Sequence, residues 1–148
     1  MIYLIGSLRN PEVPIIANRL RAAGHNVFDD WYAAGPEADD YWRKYELARG
    51  HTYKQALNGY AAKNVFDFDK QHLDMAEYGV LVLPAGRSGH LELGYLIGRG
   101  RQGFILLDND YIGENARFDV MYRHATVVST VEELIESLKN NGRQVRQL

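Results

Sequence analysis

The sequence predicts a single α/β domain, a five-stranded parallel sheet flanked by helices, with an aromatic-rich helical insertion after the second strand. Three observations carry this reading. Short apolar runs alternate with segments of helical periodicity, the pattern of β-α-β units whose strands lie parallel and connect right-handed. Glycines close the strand-like runs, Gly6 after the first and Gly86 after the one at Val80. The 148 residues suffice for one hydrophobic core without disulfides or metal.

Composition narrows the function classes. With 17 Lys and Arg against 19 Asp and Glu, the net charge of −2 supplies no global attraction to polymeric nucleic acid or an acidic membrane. Cysteine is absent, which excludes disulfides, thiolate catalysis and Cys-based zinc sites and fits a reducing, cytoplasmic setting. The opening residues lack the basic flank of a signal peptide and form too short an apolar run to span a membrane.

In chain order, Ile2 to Ile5 reads as a strand that stops at Gly6-Ser7. Pro11 suits a first helical turn, and Val13, Ile15, Ile16 and Leu20 continue the period to Gly24. His25 to Phe28 reads as the second strand. From Asp29 to Asn64, Trp31, Tyr32, Tyr41, Trp42, Tyr45, Tyr53 and Tyr60 are interleaved with charges. The spacings Tyr41, Tyr45, Ala48 and Tyr53, Ala56, Leu57, Tyr60 predict two amphipathic helices split near Gly50. Most of these rings are expected to pack the insertion onto the body. Trp31, directly after the second strand, is the one expected beside a ligand.

Val65 to Glu77 is a third helical pattern, with Val65, Phe68, His72, Leu73 and Ala76 on one side. It leads into the apolar strand at Val80 and a helix ending near Gly98 and Gly100. Phe104 to Leu107 reads as the fourth strand, Asn115 to Tyr122 as a short helix and Ala125 to Val128 as the fifth strand. Ser129 or Thr130 caps the last helix, buried by Leu134, Ile135 and Leu138. Asn141 to Leu148 reads as a frayed tail.

Candidate chemistry gathers after the third strand, in Gly86-Arg87-Ser88-Gly89-His90-Leu91-Glu92-Leu93-Gly94-Tyr95. The loop offers backbone N–H groups, a cation, a hydroxyl and an imidazole, and one carboxylate follows in the first helical turn. A helix N-terminus favours an ionised carboxylate by up to about 2 kcal/mol, so Glu92 reads as an anion suited to nucleophilic attack or electrostatic stabilisation. The competing reading is that it only complements the helix dipole. The first loop, Gly6-Ser7-Leu8-Arg9-Asn10, sets small residues and a cation where a phosphate sits at a helix N-terminus. This first loop is neither a Walker A nor a G-x-G-x-x-G motif.

Gly86-Arg87-Ser88-Gly89-His90 narrowly misses the G-x-S-x-G elbow, and only His124 is available as a late triad histidine. No histidine spacing matches a metal motif, so neither metal nor cofactor is expected. Glycosidic chemistry by double displacement needs a second carboxyl roughly 5–5.5 Å from the first. Asp69 is the candidate, whereas Asp67 and Asp74 face elsewhere on a 3.6-residue period. For each of these aspartates a solvated surface role remains open.

Tyr3-Leu4-Ile5-Gly6-Ser7-Leu8-Arg9, Asp69 and the Gly86 to Tyr95 segment together resemble the nucleoside 2-deoxyribosyltransferase superfamily. The opening loop is especially similar to the branch that hydrolyses 2'-deoxynucleoside 5'-monophosphates. The resemblance implies a flavodoxin-like, Rossmann-like fold. It also implies that Glu92 attacks C1' and forms a glycosyl ester, that Asp69 handles the proton on the base, and that Tyr3 orients Glu92. Gly6, Ser7, Arg9, Trp31, Gly86, Arg87, Ser88, Gly89 and His90 would line the substrate site around sugar, base and 5'-substituent. Asp119 and Met121 stand where the transferases carry an Asn-x-Met segment from a neighbouring subunit.

The expected partners are a small nucleoside or nucleotide, an acceptor base if the reaction is a transfer, and further copies of the chain. Two departures from the transferases, Arg87 in the loop and the ending Arg146-Gln147-Leu148, shift the expectation towards a phosphorylated substrate. A strict monophosphate N-hydrolase and a non-catalytic nucleotide sensor remain the alternatives.

Overall fold

A computed structural model describes residues 1–146, with side chains through residue 142. Five strands, β1 (Ile2–Ile5), β2 (Val27–Phe28), β3 (Tyr78–Val82), β4 (Gln102–Leu106) and β5 (Thr126–Val128), form one all-parallel sheet in the order β2-β1-β3-β4-β5. Among the described residues six α-helices accompany them: α1 (Glu12–Ala22), α2 (Ala38–Ala48), α3 (Tyr53–Leu57), α4 (Tyr60–Met75), α5 (Arg87–Gly98) and α6 (Val131–Arg146). This is the flavodoxin-like arrangement.

Strand periodicity divides the core into two layers, because successive side chains leave opposite faces of the sheet. Ile2, Leu4, Val80, Val82, Phe104 and Leu106 pack with Val13, Ile16 and Leu20 of α1 and Leu134 and Leu138 of α6. Tyr3, Ile5, Leu81 and Ile105 point the other way, onto Leu73 of α4 and Leu93 and Leu96 of α5. A Cβ on Gly79 would lie 2.5 Å from Leu96 Cδ1 and one on Gly103 2.8 Å from Ile97 Cδ1, so glycine lets α5 settle close to the sheet.

The chain leaves β1 to one side and β3 to the other. The loops after these two strands therefore part at the carboxyl edge of the sheet and open the crevice where such folds bind ligands.

Several local expectations are corrected. The stretch from Asn115 to Tyr122 is not a helix. Two short 3₁₀ turns at Asn109–Tyr111 and Val120–His124 flank a non-helical loop in which Gly113 takes φ +90°. Phe118, Val120 and Met121 are exposed, so the segment has no packed apolar face to repay helix nucleation. α4 begins at Tyr60, not Val65, and α3 stops at Leu57 before Gly59.

The tyrosine faces of the insertion are largely solvent-exposed, Tyr60 at 92%, and Val65 of α4 is exposed as well. Of the residues read as its helical faces, Ala56 is buried, and Glu46, off those faces, is buried as well at 3% exposed. That carboxylate is tolerated because His51 Nδ1 stands 2.5 Å from it and Arg49 4.0 Å away. Asn141 to Arg146 continue α6 instead of fraying; the remainder of that stretch lies outside the described residues. Thr130 is the cap, its Oγ1 accepting from Glu133 N at 3.1 Å.

Candidate active site

Three elements bring the three candidate catalytic side chains together. Tyr3, 1% exposed, projects from β1 onto the face covered by α4 and α5. Glu92, on α5, and Asp69, on α4, are both half-buried. The Tyr3 hydroxyl faces Glu92 as a hydrogen-bond donor, and both groups feel the charge of Asp69.

Burial dominates the electrostatics of this trio. It pushes the Glu92 carboxyl up to about 7, the charge of Asp69 adding to the rise and the Tyr3 hydrogen bond opposing it. The helix N-terminus therefore does not keep Glu92 a full anion at neutral pH, because desolvation outweighs a dipole worth at most about 2 kcal/mol. Burial also raises Asp69 above the usual carboxylate range, against the pull of His72. Tyr3 is raised well above an ordinary phenol, chiefly by burial and then by the two carboxylates, so it stays a donor.

Aromatic rings fix this arrangement from the β2 side. Phe28 of β2 lies 5.1 Å from the Tyr3 ring and stacks on His72 at 4.1 Å and 9°. Phe68 stands 5.9 Å from Phe28 and 4.6 Å from His72. Asp69 thus lies between Phe68 and Lys70 on a helix anchored to the sheet by Phe68 and His72.

The two loops form the rim of the crevice. A Cβ on Gly6 would lie 2.9 Å from Val13 Cγ2 and 3.8 Å from Trp31 Cη2, so the first loop admits no side chain there. Trp31 is held by its indole N–H, which donates to Leu4 O at 2.8 Å. Ser7 Oγ accepts from Arg9 N at 3.1 Å and closes a tight turn.

The Arg9 guanidinium turns towards the insertion, with Nη2 donating to Asp40 at 2.9 Å and Nε to Pro36 O at 3.3 Å. In the second loop, Gly86 precedes α5, and Arg87 and Ser88 are exposed. Gly89 is buried where a Cβ would meet Ile5 and Leu81, each at 3.1 Å.

His90 is engaged instead of free to meet a ligand. Its Nδ1 lies 2.8 Å from Gly86 O and its Nε2 2.8 Å from the Tyr122 hydroxyl. Tyr122 is 3.2 Å from the Tyr111 hydroxyl, which donates to Asp119. This chain ties Asp119 to the start of α5 through two tyrosines, and Met121 beside it is exposed. Sequence reasoning missed Tyr111 and Tyr122, whose roles depend on a loop with no periodicity. It also missed the Phe28–His72 stack, which joins two elements far apart in the chain.

Comparison with protein-family models yields no matching family, and comparison with curated proteins yields no match. None of the described helices is long and apolar enough to cross a membrane.

Proposed function

We propose that the protein cleaves or transfers the N-glycosidic bond of a 2'-deoxyribonucleoside or its 5'-monophosphate through a covalent glycosyl-Glu92 intermediate. The observation that carries this reading is the trio of buried Tyr3 and half-buried Asp69 and Glu92, beside two small-residue loops at the carboxyl edge of the sheet. Ionised Glu92 attacks C1', and the bond to the base breaks with its electron pair leaving on the base nitrogen. Asp69, kept protonated further up the pH scale than an ordinary aspartate, delivers the proton that makes the base a leaving group.

In the second half-reaction water, or a free acceptor base, attacks C1'. Its proton passes to Asp69, and Glu92 is released. Tyr3 donates to the carboxylate form of Glu92 and opposes the cost of burying it. Substrate contacts fall to Trp31 beside the Gly6 loop and to Ser7, Arg87 and Ser88, of which Arg87 suits a 5'-phosphate. Exposed Leu91 on α5 and Phe118, Val120 and Met121 in the loop before β5 support a homo-oligomer as part of this reading.

Release of free base tests it. The wild-type protein is expected to release base from at least one deoxynucleoside or deoxynucleoside monophosphate, and Glu92→Ala to lose that activity. Full activity in Glu92→Ala overturns the mechanism. Adding an acceptor base separates transfer from hydrolysis, since only a transferase yields the new nucleoside. Nucleotide binding without base release would favour a sensor.

A further inference from the structure

Asp74, five residues beyond Asp69 on α4, accepts from two helices at once. Its carboxylate takes the Tyr95 hydroxyl from α5, Arg99 Nη1 at 2.6 Å from the residue that ends α5, and Lys70 Nζ at 2.8 Å from its own helix. Two cations lie over the Tyr95 ring, Lys70 Nζ at 4.7 Å and Arg99 Cζ at 5.6 Å from its centroid. Hydrogen bonds from Lys70 and then Tyr95 hold Asp74 below the usual carboxylate range, so it is ionised at neutral pH.

Isolated surface ion pairs contribute little, but several charges converging on one carboxylate around a shared ring form a network. Its place in the fold gives it a consequence for the site. Tyr95 follows Glu92 by three residues on the same face of α5, and Arg99 caps the C-terminal end of that helix. Lys70 is the immediate neighbour of Asp69. The Phe28–His72 stack pins α4 to β2, and the Asp74 network pins it to α5.

We infer that Asp74 and Tyr95 are positioning residues: the Lys70–Asp74–Tyr95–Arg99 clamp locks α4 against α5 and sets the approach of Asp69 to Glu92. The inference rests on the glycosidic reading of that pair. Neither residue touches substrate; both act through the spacing of the two carboxyls. A misplacement of about 1 Å at a reacting centre costs on the order of 100-fold in rate, so a clamp remote from the loops governs kcat.

Tyr95→Phe keeps the ring and its packing and removes only the hydroxyl, and Asp74→Asn removes the charge. Both are expected to lower kcat for base release about tenfold or more while KM stays within about twofold. Arg99→Lys retains a cation and is expected to keep most of the rate.

A second readout does not require turnover: the titration of the Glu92 carboxyl followed by carbon NMR. The groups facing Glu92 are Tyr3 from β1 and Asp69 from α4, and Asp69 in turn faces His72. Tyr3 stays with the sheet when α4 loosens, so in Tyr95→Phe and Asp74→Asn the titration is expected to fall from about 7 towards the ordinary 4.5.

Wild-type kcat together with an unmoved Glu92 titration in Tyr95→Phe overturns the clamp, even if thermal stability drops. If the wild-type protein releases no base from any substrate, the glycosidic reading fails. The carboxyl titration still decides whether the clamp sets the spacing.

Discussion

Glu92→Gln should make the protein more stable at alkaline pH while abolishing turnover. Burial raises this carboxyl from 4.5 to about 7, and a difference of that size corresponds to about 3 kcal/mol. Because the folded-state value lies above the unfolded one, the native state holds the proton more tightly. Stability is full below about pH 4.5 and falls as pH rises through about 7. Glutamine is close in shape, accepts from Tyr3 and cannot ionise, so the variant escapes this loss.

The two proteins are therefore expected to be equally stable near pH 4 and to differ by about 3 kcal/mol near pH 8. At about 2–4 °C per kcal/mol for a domain of this size, Tm rises by roughly 6–12 °C at the higher pH. Thermal or urea denaturation of both proteins at the two pH values measures it. A difference that does not grow with pH would refute the claim that Glu92 is ionised at a desolvation cost.

Asp69→Asn is expected to slow base release about 100-fold or more for ordinary bases, and much less for substrates whose base leaves without protonation; a rate survey across leaving groups checks this. Arg87→Ala should raise KM for monophosphates well above its effect on nucleosides, and Asp40→Ala, which releases Arg9 from the insertion to meet the phosphate, should lower KM for monophosphates and leave that for nucleosides unchanged; steady-state kinetics on both substrate classes reads each. Gly89→Ala sets a methyl 3.1 Å from Ile5 and Leu81 and is expected to cost about 1–3 kcal/mol, visible in the urea midpoint.

The sheet was legible because its strands obey a strict code. Short apolar runs closed by Gly6 and Gly86 mark β1 and β3 before any contact is known, and the fold then sends Ile2 and Leu4 to one layer and Tyr3 and Ile5 to the other. The placement of Asp69 near Glu92 rested on one helix feeding β3, and the distance between two helices lies outside any local pattern. Asp74 illustrates the limit: helical period turns it away from Asp69, yet it became the acceptor joining α4 to α5. Lys70 and Asp74 at i and i+4 were readable as a pair, whereas Tyr95 could join them only after folding.

The insertion misled periodicity for another reason. Its tyrosines carry a helical spacing yet stay exposed; of the expected faces Ala56 is buried, and the other buried position went to Glu46, since a paired carboxylate is buried more readily than its residue type suggests. The state of Glu92 was likewise hidden, because a dipole can be read from position in a helix while desolvation depends on what the fold packs around it.

The central claim is a covalent bond between Glu92 and C1' of a deoxyribose, and acid-quenched turnover followed by peptide mass spectrometry tests it most directly. A deoxyribosyl or deoxyribosyl-phosphate adduct on the peptide containing Glu92, lost in Glu92→Gln, is the predicted result. An adduct on another residue, or base release at the wild-type rate in Glu92→Gln, would contradict it.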